Sequence, residues 1–340
     1  MRKIMQWFNL FVIFLVLSLS NDVQAGLIAK YNFNETSGSI AHDSVGSVNG
    51  MLSGGTTFVP GAGIQGGAIS LDKAKNSFVN MGDNFGFTSG DFSIQVWVKL
   101  NANDTTGSTP IAKHHGGIVA GYFLGINDVG DGCSATGKAH FYVGYPCSGV
   151  SSITVNDGLW HQLVGIYNST NQTVSIYVDG QFQASAVGGH AANPTDAPFL
   201  VGGVMIPDSS LVGNFTGLID EVWIYDNALS ATDVWLLYSS TRNSQYLGVT
   251  AIPDVNGDGV MDQVVLAMKS GNYYLRTIDG ATGKQLKQVT LGTMTNIMPS
   301  ALTAVGTQIS VLITKSTGVS VLQLRDNTTL ALVKTLTLPK

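Results

Sequence analysis

Charge is what this sequence has least of: Asp, Glu, Lys and Arg make up 11% of its 340 residues, 17 Lys+Arg against 22 Asp+Glu, for a formal net charge of −5. A mildly acidic chain without Lys/Arg clusters lacks the electrostatic footprint of a nucleic-acid binder, and that class is excluded. Helix-period stretches are nearly absent, which excludes a coiled coil. After the first 25 residues no apolar segment reaches the roughly 20 residues a spanning helix needs. Catalytic signatures are missing too: there is no Gly-x-Ser-x-Gly elbow, no His-Glu-x-x-His, no phosphate loop and no Glu-x-Asp-x-x-Glu strand. What is present is apolar content, 44%, and 41 glycines, enough for packed cores joined by many turns. At about 150 residues per domain the length predicts two domains.

Residues 1–25 have the layout of a signal peptide. Arg2 and Lys3 precede an apolar stretch densest from Leu10 to Leu19, and Val23-Gln24-Ala25 sets compact residues at the −3 and −1 positions. Cleavage after Ala25 would leave the mature chain secreted, extracellular or periplasmic, with no membrane span. The alternative, an uncleaved anchor, meets a short apolar core interrupted at its front by Gln6 and Asn9. In an exported chain the only two cysteines, Cys133 and Cys147, predict one disulfide across a Gly-rich aromatic segment; two buried thiols are the other reading.

From residue 26 to 240 short strands are punctuated by Gly, Asn and Asp, which predicts an all-β domain. Phe92, Ile94, Val96, Val98 and Leu100 alternate with Ser93, Gln95, Trp97 and Lys99, so one face of that strand faces a core. Strands Trp160 to Tyr167 and Thr173 to Val178 flank a polar turn, and Asp179-Gly180 supplies a tight hairpin. Ser230-Ala231-Thr232-Asp233 is a capping box opening one short apolar helix, expected to close this domain.

Several segments carry a family resemblance. Tyr31-x-Phe33-x-Glu35-x-Ser37-Gly38, Asp43-Ser44-x-Gly46, Gly67-Ala68-Ile69-Ser70-Leu71, Asp91 to Val98, Asp157-Gly158-Leu159-Trp160-His161, Tyr177-Val178-Asp179-Gly180 and Gly217 to Tyr225 occur in the order of laminin-G-like, concanavalin A-like domains, which this stretch resembles. The resemblance implies a two-sheet antiparallel jelly-roll sandwich, a fold shared by lectins, adhesion modules and some glycanases. It also implies a structural calcium joining Asp43 and Asp220, with carbonyls around Gly46. Without a cation, Asp43 would cap a turn and Asp220 would be held by hydrogen bonds.

Residues 241–245 read as a polar linker, and from 246 to 340 the texture changes. A shift of 46 residues places Leu266 on Leu312, Lys269-Ser270 on Lys315-Ser316, Ile278 on Leu324, Thr282 on Thr328 and Leu286 on Leu332, a period in the range of a β-propeller blade. Two such repeats cannot close a propeller. In the first repeat, Asp254, Asn256 and Asp258, Gly259 at position 6, the carbonyl of Val260 and Asp262 are spaced to wrap a hard cation, Ca2+ by donor chemistry. With no flanking helices, the loop is similar to those of FG-GAP and VCBS-type repeats. The equivalent stretch of the second repeat, Ser300 to Gln308, has no acids.

Catalysis has little to stand on, because a retaining glycosidase needs two carboxylates about 5 to 5.5 Å apart across one sugar. Asp220 and Glu221 are adjacent, so they are expected to point to opposite faces. His114-His115 reads as a loop pair rather than a transition-metal site, since no other His or Cys lies near in sequence. The sequence therefore predicts a non-enzymatic recognition module whose partner is a glycan or glycoprotein. Loop candidates for contact are His114, His115, Asn127, Asp128, Asp131 and the stretch 196–208. The competing reading is a structural or adhesion module binding protein, or itself through the C-terminal repeats.

Overall fold

The protein is described from a computed structural model, which covers residues 26–115, 121–127, 133, 135–144, 147–188, 196–206, 210–241, 244–269, 272–293, 297–305, 308–315 and 320–337. Residues 1–25, where the signal peptide was read, lie outside the described residues. Two compact units follow, Gly26–Leu229 and Ser230–Lys340. No helix among the described residues is long and apolar enough to cross a membrane.

The first unit contains β1 (Leu27–Tyr31), β2 (Ile40–Ala41), β3 (Gly50–Ser53), β4 (Thr57–Val59), β5 (Ala68–Leu71), β6 (Phe78–Asn80), β7 (Phe92–Leu100), β8 (Ser108–Lys113), β9 (Tyr122–Ile126), β10 (Ala139–Val143), β11 (His161–Asn168), β12 (Thr173–Val178), β13 (Gln181–Val187), β14 (Leu200–Val201), β15 (Val204–Met205), β16 (Leu211–Val212) and β17 (Gly217–Tyr225). Its first sheet runs β13-β12-β11-β7-β17-β5-β4, with β1 also on β17, and its second runs β10-β9-β8-β14-β6-β3-β2. Every named pairing is antiparallel. One apolar cluster lies between the sheets, joining Ile94, Val96, Leu163 and Ile219 of the first to Ile111, Leu124, Phe141 and Val201 of the second. This is the expected all-β sandwich.

Local chemistry accounts for the strand ends. Val178 pairs with Gln181, and Asp179 and Gly180 both take positive φ, 52° and 75°, the signature of a type I′ hairpin turn. The alternation in β7 puts Phe92, Ile94, Val96, Val98 and Leu100 in the core. Its other face is also covered, since Ser93, Gln95 and Trp97 are each 0% exposed. Trp97 is therefore a packing residue.

β17 does not alternate regularly. Asp220 lies opposite Trp97 and Trp223 opposite Gln95, so three residues on β17 span what two span on β7. The extra residue is a bulge, with Glu221 at φ 49°. It follows from the spacing of the core residues, Ile219 then Val222 then Ile224. A regular strand would drive the Glu221 carboxylate into the core; the bulge brings Val222 there instead.

In the second unit α1 (Ala231–Thr241) precedes β18 (Ser244–Ile252), β19 (Asp262–Lys269), β20 (Asn272–Ile278), β21 (Gln285–Thr293), β22 (Ile297–Val305), β23 (Gln308–Lys315), β24 (Ser320–Asp326) and β25 (Leu332–Thr337). The capping box forms as read: the Ser230 N–H donates to Asp233 Oδ2 at 2.8 Å and the Asp233 N–H donates to Ser230 Oγ at 3.1 Å. The helix groups with the second unit rather than closing the first, because Trp235 packs with Val265 and Ile278. The linker read at 241–245 is correspondingly shorter, Thr241 ending the helix and Ser244 opening β18.

Strands β18-β19-β20-β21 and β22-β23-β24-β25 form two four-stranded meanders. The internal repeat is real, but its shift changes. Leu266 pairs with Leu275 as Leu312 pairs with Leu322, so the shift is 46 in β19 and 47 from β20 onward. The reason is hairpin length: Met268 pairs with Tyr273, whereas the equivalent Thr314 pairs with Ser320, one residue further on. The turns after β20 and β24 then match: the N–H groups of Ala281 and Thr282 donate to Asp279 Oδ1, and those of Thr328 and Thr329 donate to Asp326 Oδ1. Thr282 thus corresponds to Thr329 rather than Thr328.

Candidate functional site

Asp254 to Asp262 connects β18 to β19, where Ile252 pairs with Asp262 across the loop. Asp254 Oδ1 accepts from the N–H groups of Asn256 (3.1 Å) and Gly257 (2.6 Å), and Oδ2 from that of Gly259 (2.7 Å). Gly259 at φ 89° takes a left-handed conformation that a β-carbon would strain. Asp258 Oδ1 accepts from the Val260 N–H, and Asp262 accepts from those of Val255 and Gly280. Burial, then the charges of Asp279 and Asp258, push the Asp262 carboxyl above the usual range despite those two donors. Backbone donors, Gly259 first, hold Asp254 below it.

Asp279 is the residue the sequence reading missed. It lies in the β20–β21 turn, and its carboxyl interacts with those of Asp258 and Asp262, so these three acids neighbour one another at the end of the first meander that also carries Asp254. Among the described residues none of these acids has an ion-pair partner. Nor do any three His, Cys, Asp or Glu side chains there converge closely enough to hold a metal ion; in this conformation the loop carboxylates serve main-chain N–H groups. The second repeat differs more than Ser300 to Gln308 suggested. Ser300 to Val305 are strand residues and Val305 pairs directly with Gln308, so strand stands where the first repeat has its acidic loop.

In the sandwich, Asp43 accepts from the N–H groups of Lys30, Val45, Gly46 and Val48 at 2.9 to 3.3 Å. Asp220, 0% exposed, accepts from those of Gln65 (3.1 Å) and Glu221 (2.7 Å). It sits where the edge of β17 changes partner, from β5 at Gly217–Ile219 to β1 at Val222–Tyr225, and the 63–67 loop enters there. That approach needs glycine: a β-carbon on Gly63 would overlap the Gly67 carbonyl and lie 2.6 Å from Asp220 Oδ2. Burial, then the charge of Glu221, pushes the Asp220 carboxyl up to about 8. Glu221 is turned elsewhere, accepting from Trp223 Nε1 at 2.7 Å. Among the described residues no donor is shared by Asp43 and Asp220.

The loop candidates disperse. His114 is buried against Phe123 and Tyr142, ring centroids 5.1 and 5.5 Å away, and is not a solvated loop residue. His115 Nε2 meets Asp196 Oδ1 at 2.9 Å. Asn127, 1% exposed, donates through Nδ2 to the carbonyls of Asp104 (3.0 Å) and Thr106 (2.8 Å). Its Oδ1 accepts from the Gly137 N–H, so the side chain is an internal staple. Asp128 and Asp131 lie outside the described residues. His161 bonds Asp179 through Nδ1 (2.8 Å) and Asp157 through Nε2 (3.0 Å). Burial pulls its pKa down, but the two carboxylates outweigh that and hold it above the ordinary value.

Cys133 and Cys147 form a disulfide, with Cα atoms 6.3 Å apart and a sequence separation of 14. A loop of that size is worth about 3 kcal/mol by chain entropy. A Cys133→Ser/Cys147→Ser variant is expected to lose about that much in urea unfolding, with the m-value retained.

An open cleft of about 430 Å³ lies where the ends of β5, β7 and β17 meet. Asp72, Lys99, Asn101, Gly158, Thr216 and Gly217 contribute to its lining. Among the described residues Lys99 has no ion-pair partner. The cleft was not foreseen, since its residues come from distant segments and no local motif marks them.

Its host fold can be placed. Residues 73–235 match the family model described as the concanavalin A-like lectin/glucanases superfamily. The concanavalin A-like match takes in β7 through β17 and the cleft residues Lys99, Asn101, Gly158, Thr216 and Gly217. No curated protein matches the chain. Among solved structures, the binding domain of Paraclostridial Mosquitocidal Protein 1 is similar at TM-score 0.51 and 13% identity, covering 94% of this chain and 88% of that one. Domain 4 of AbnA, a GH43 extracellular arabinanase from Geobacillus stearothermophilus solved with arabinotriose, gives TM-score 0.46 and 23% identity, covering 62% and 97%. The botulinum neurotoxin type G receptor binding domain gives 0.45 and 12%, covering 85% and 86%. At 13% identity the likeness to the mosquitocidal protein's binding domain is one of fold.

Proposed function

We propose that this chain is an exported, non-enzymatic recognition module that binds carbohydrate, free or on a glycoprotein, in the cleft at the ends of β5, β7 and β17. The observation that carries the reading is that cleft, in a concanavalin A-like lectin fold, with a cation, a carboxylate and an amide, Lys99, Asp72 and Asn101, on its lining. About 430 Å³ is room for one or two sugar residues, and such groups fix hydroxyl orientation through hydrogen bonds. A non-enzymatic role is supported by the acids: Asp220 and Glu221 are buried and turned to different partners rather than across an open site. The disulfide supports export. Calcium belongs to the proposal as a structural cation at Asp254, Asn256, Asp258, the Val260 carbonyl and Asp262, within an FG-GAP- or VCBS-like repeat. The four unpaired acids around that loop support it.

The test is a panel of immobilised neutral and acidic oligosaccharides probed with residues 26–340, followed by calorimetry on hits with Lys99→Ala and Asn101→Ala. Each variant is expected to weaken binding about tenfold, the scale of one lost polar contact. No hit across the panel, or hits indifferent to both variants, would overturn the assignment.

A further inference from the structure

Two charged side chains line the cleft at the ends of β5, β7 and β17, Asp72 and Lys99. Asp72 is committed: its Oδ1 accepts from the Ala74 N–H at 2.9 Å and its Oδ2 lies 3.6 Å from Lys75 Nζ. The acids just outside are committed too. Asp157, beside the lining residue Gly158, accepts from the Leu159 N–H at 2.9 Å and bonds His161 Nε2 at 3.0 Å. Asp104 accepts from the Thr106 N–H and hydroxyl and lies 3.6 Å from Lys73 Nζ. Lys99 is left over, half-buried and, among the described residues, in no ion pair. Acids outnumber Lys and Arg in this chain, 22 to 17, so a cation without one is a local feature of the cleft and not a result of overall charge. The neutral groups are donors as well. Thr216 Oγ1 accepts from the Lys73 N–H at 3.0 Å, which leaves its O–H to donate, and the Asn101 amide brings further N–H groups.

We infer that the ligand of this cleft is an acidic sugar, whose carboxylate or sulfate pairs with Lys99 while Thr216 and Asn101 donate to its other oxygens. The inference rests on the cleft being a carbohydrate site. A neutral sugar offers the Lys99 ammonium only hydroxyls, whereas an anion matches both its charge and the surrounding donors. Because Lys99 is half-buried, it meets that anion at an effective dielectric of about 20 rather than about 80, which strengthens the attraction over that of a fully exposed pair. The volume of about 430 Å³ takes a sugar ring together with its charged group.

Calorimetry of residues 26–340 tests it with matched pairs: oligogalacturonate and its methyl ester, sialyllactose and lactose, and a carrageenan oligosaccharide and its desulfated form. The first two pairs read carboxylate and the third reads sulfate. The expected result is an acidic member that binds about tenfold tighter than its neutral partner, a gap that narrows as salt is raised. The gap should close in Lys99→Gln and persist in Lys99→Arg, which keeps the charge and so separates its loss from a loss of fold. It should also persist in Lys334→Gln, at an exposed lysine of the second unit. Acidic and neutral members bound equally, or a gap lost as fully in Lys334→Gln as in Lys99→Gln, would overturn this inference. Binding confined to neutral sugars, and weakened by Asn101→Ala, would overturn it while keeping the cleft as a carbohydrate site. No binding by any sugar would overturn both.

Discussion

Replacing Asp220 with Asn is expected to remove most of the pH dependence of stability between about pH 4 and pH 8 in chelated protein. The carboxyl is pushed up to about 8 from 3.8 by burial and then by Glu221, so at neutral pH it is protonated when folded and ionised when unfolded. A raised folded-state pKa gives stability that is complete below the unfolded value and is lost as pH climbs through the folded one. At about 1.36 kcal/mol per pH unit the loss across this window is on the order of 5 kcal/mol. His161, also raised, acts with the same sign above its unfolded value, which is why the Asn variant, retaining His161, is the reference. The variant gives up one acceptor, for the Gln65 or the Glu221 N–H, at about 1 to 2 kcal/mol. The two proteins should therefore cross: wild type more stable near pH 4, Asp220→Asn more stable near pH 8, by urea midpoints with equal m-values. A flat wild-type profile in chelator would mean that Asp220 ionises normally. The same series tests the calcium implied at Asp43, Gly46 and Asp220: a cation there would flatten the wild-type profile and leave the Asn variant unchanged.

Much of this architecture could be read from the chain because it is written in local periodicity. The alternation from Phe92 to Leu100, the Asp179-Gly180 turn and the Ser230 to Asp233 capping box each concern neighbours within a few residues, and each forms as expected. The failures share a cause, which is that the deciding partner is far away in sequence. Asn127 looks like a loop residue, but Asp104 and Thr106 take its amide. His114 looks solvated, but Phe123 and Tyr142 cover it. The cleft needs three strand ends brought together by sheet order, and no window of sequence contains them. The bulge at Glu221 is intermediate: the spacing from Ile219 to Val222 to Ile224 carries it, but only once those residues are known to share a face.

Calcium is expected to stabilise the second unit through the Asp254–Asp262 loop, by about 4.1 kcal/mol when the free ion exceeds its dissociation constant a thousandfold. The sign follows from the acids. Asp262 is raised by burial and by Asp279 and Asp258, so as pH rises without a cation, ionising it costs stability, and a bound divalent ion reverses that cost. Asp258→Asn removes one carboxylate from the group while its amide oxygen can still accept from the Val260 N–H, so folding should survive while the calcium response falls sharply. Hydrogen exchange resolves the site: protection should rise on calcium addition at residues 253–262 and in the turn 279–284, and not at the β22–β23 hairpin, where Val305 pairs directly with Gln308. Calorimetry supplies the count. One ion, lost in Asp258→Asn, assigns calcium to this loop alone, and two ions with one lost in Asp220→Asn assign the second to the sandwich. No heat, with no change in exchange, would leave the loop as a turn held by its own N–H groups and overturn calcium as the structural cation.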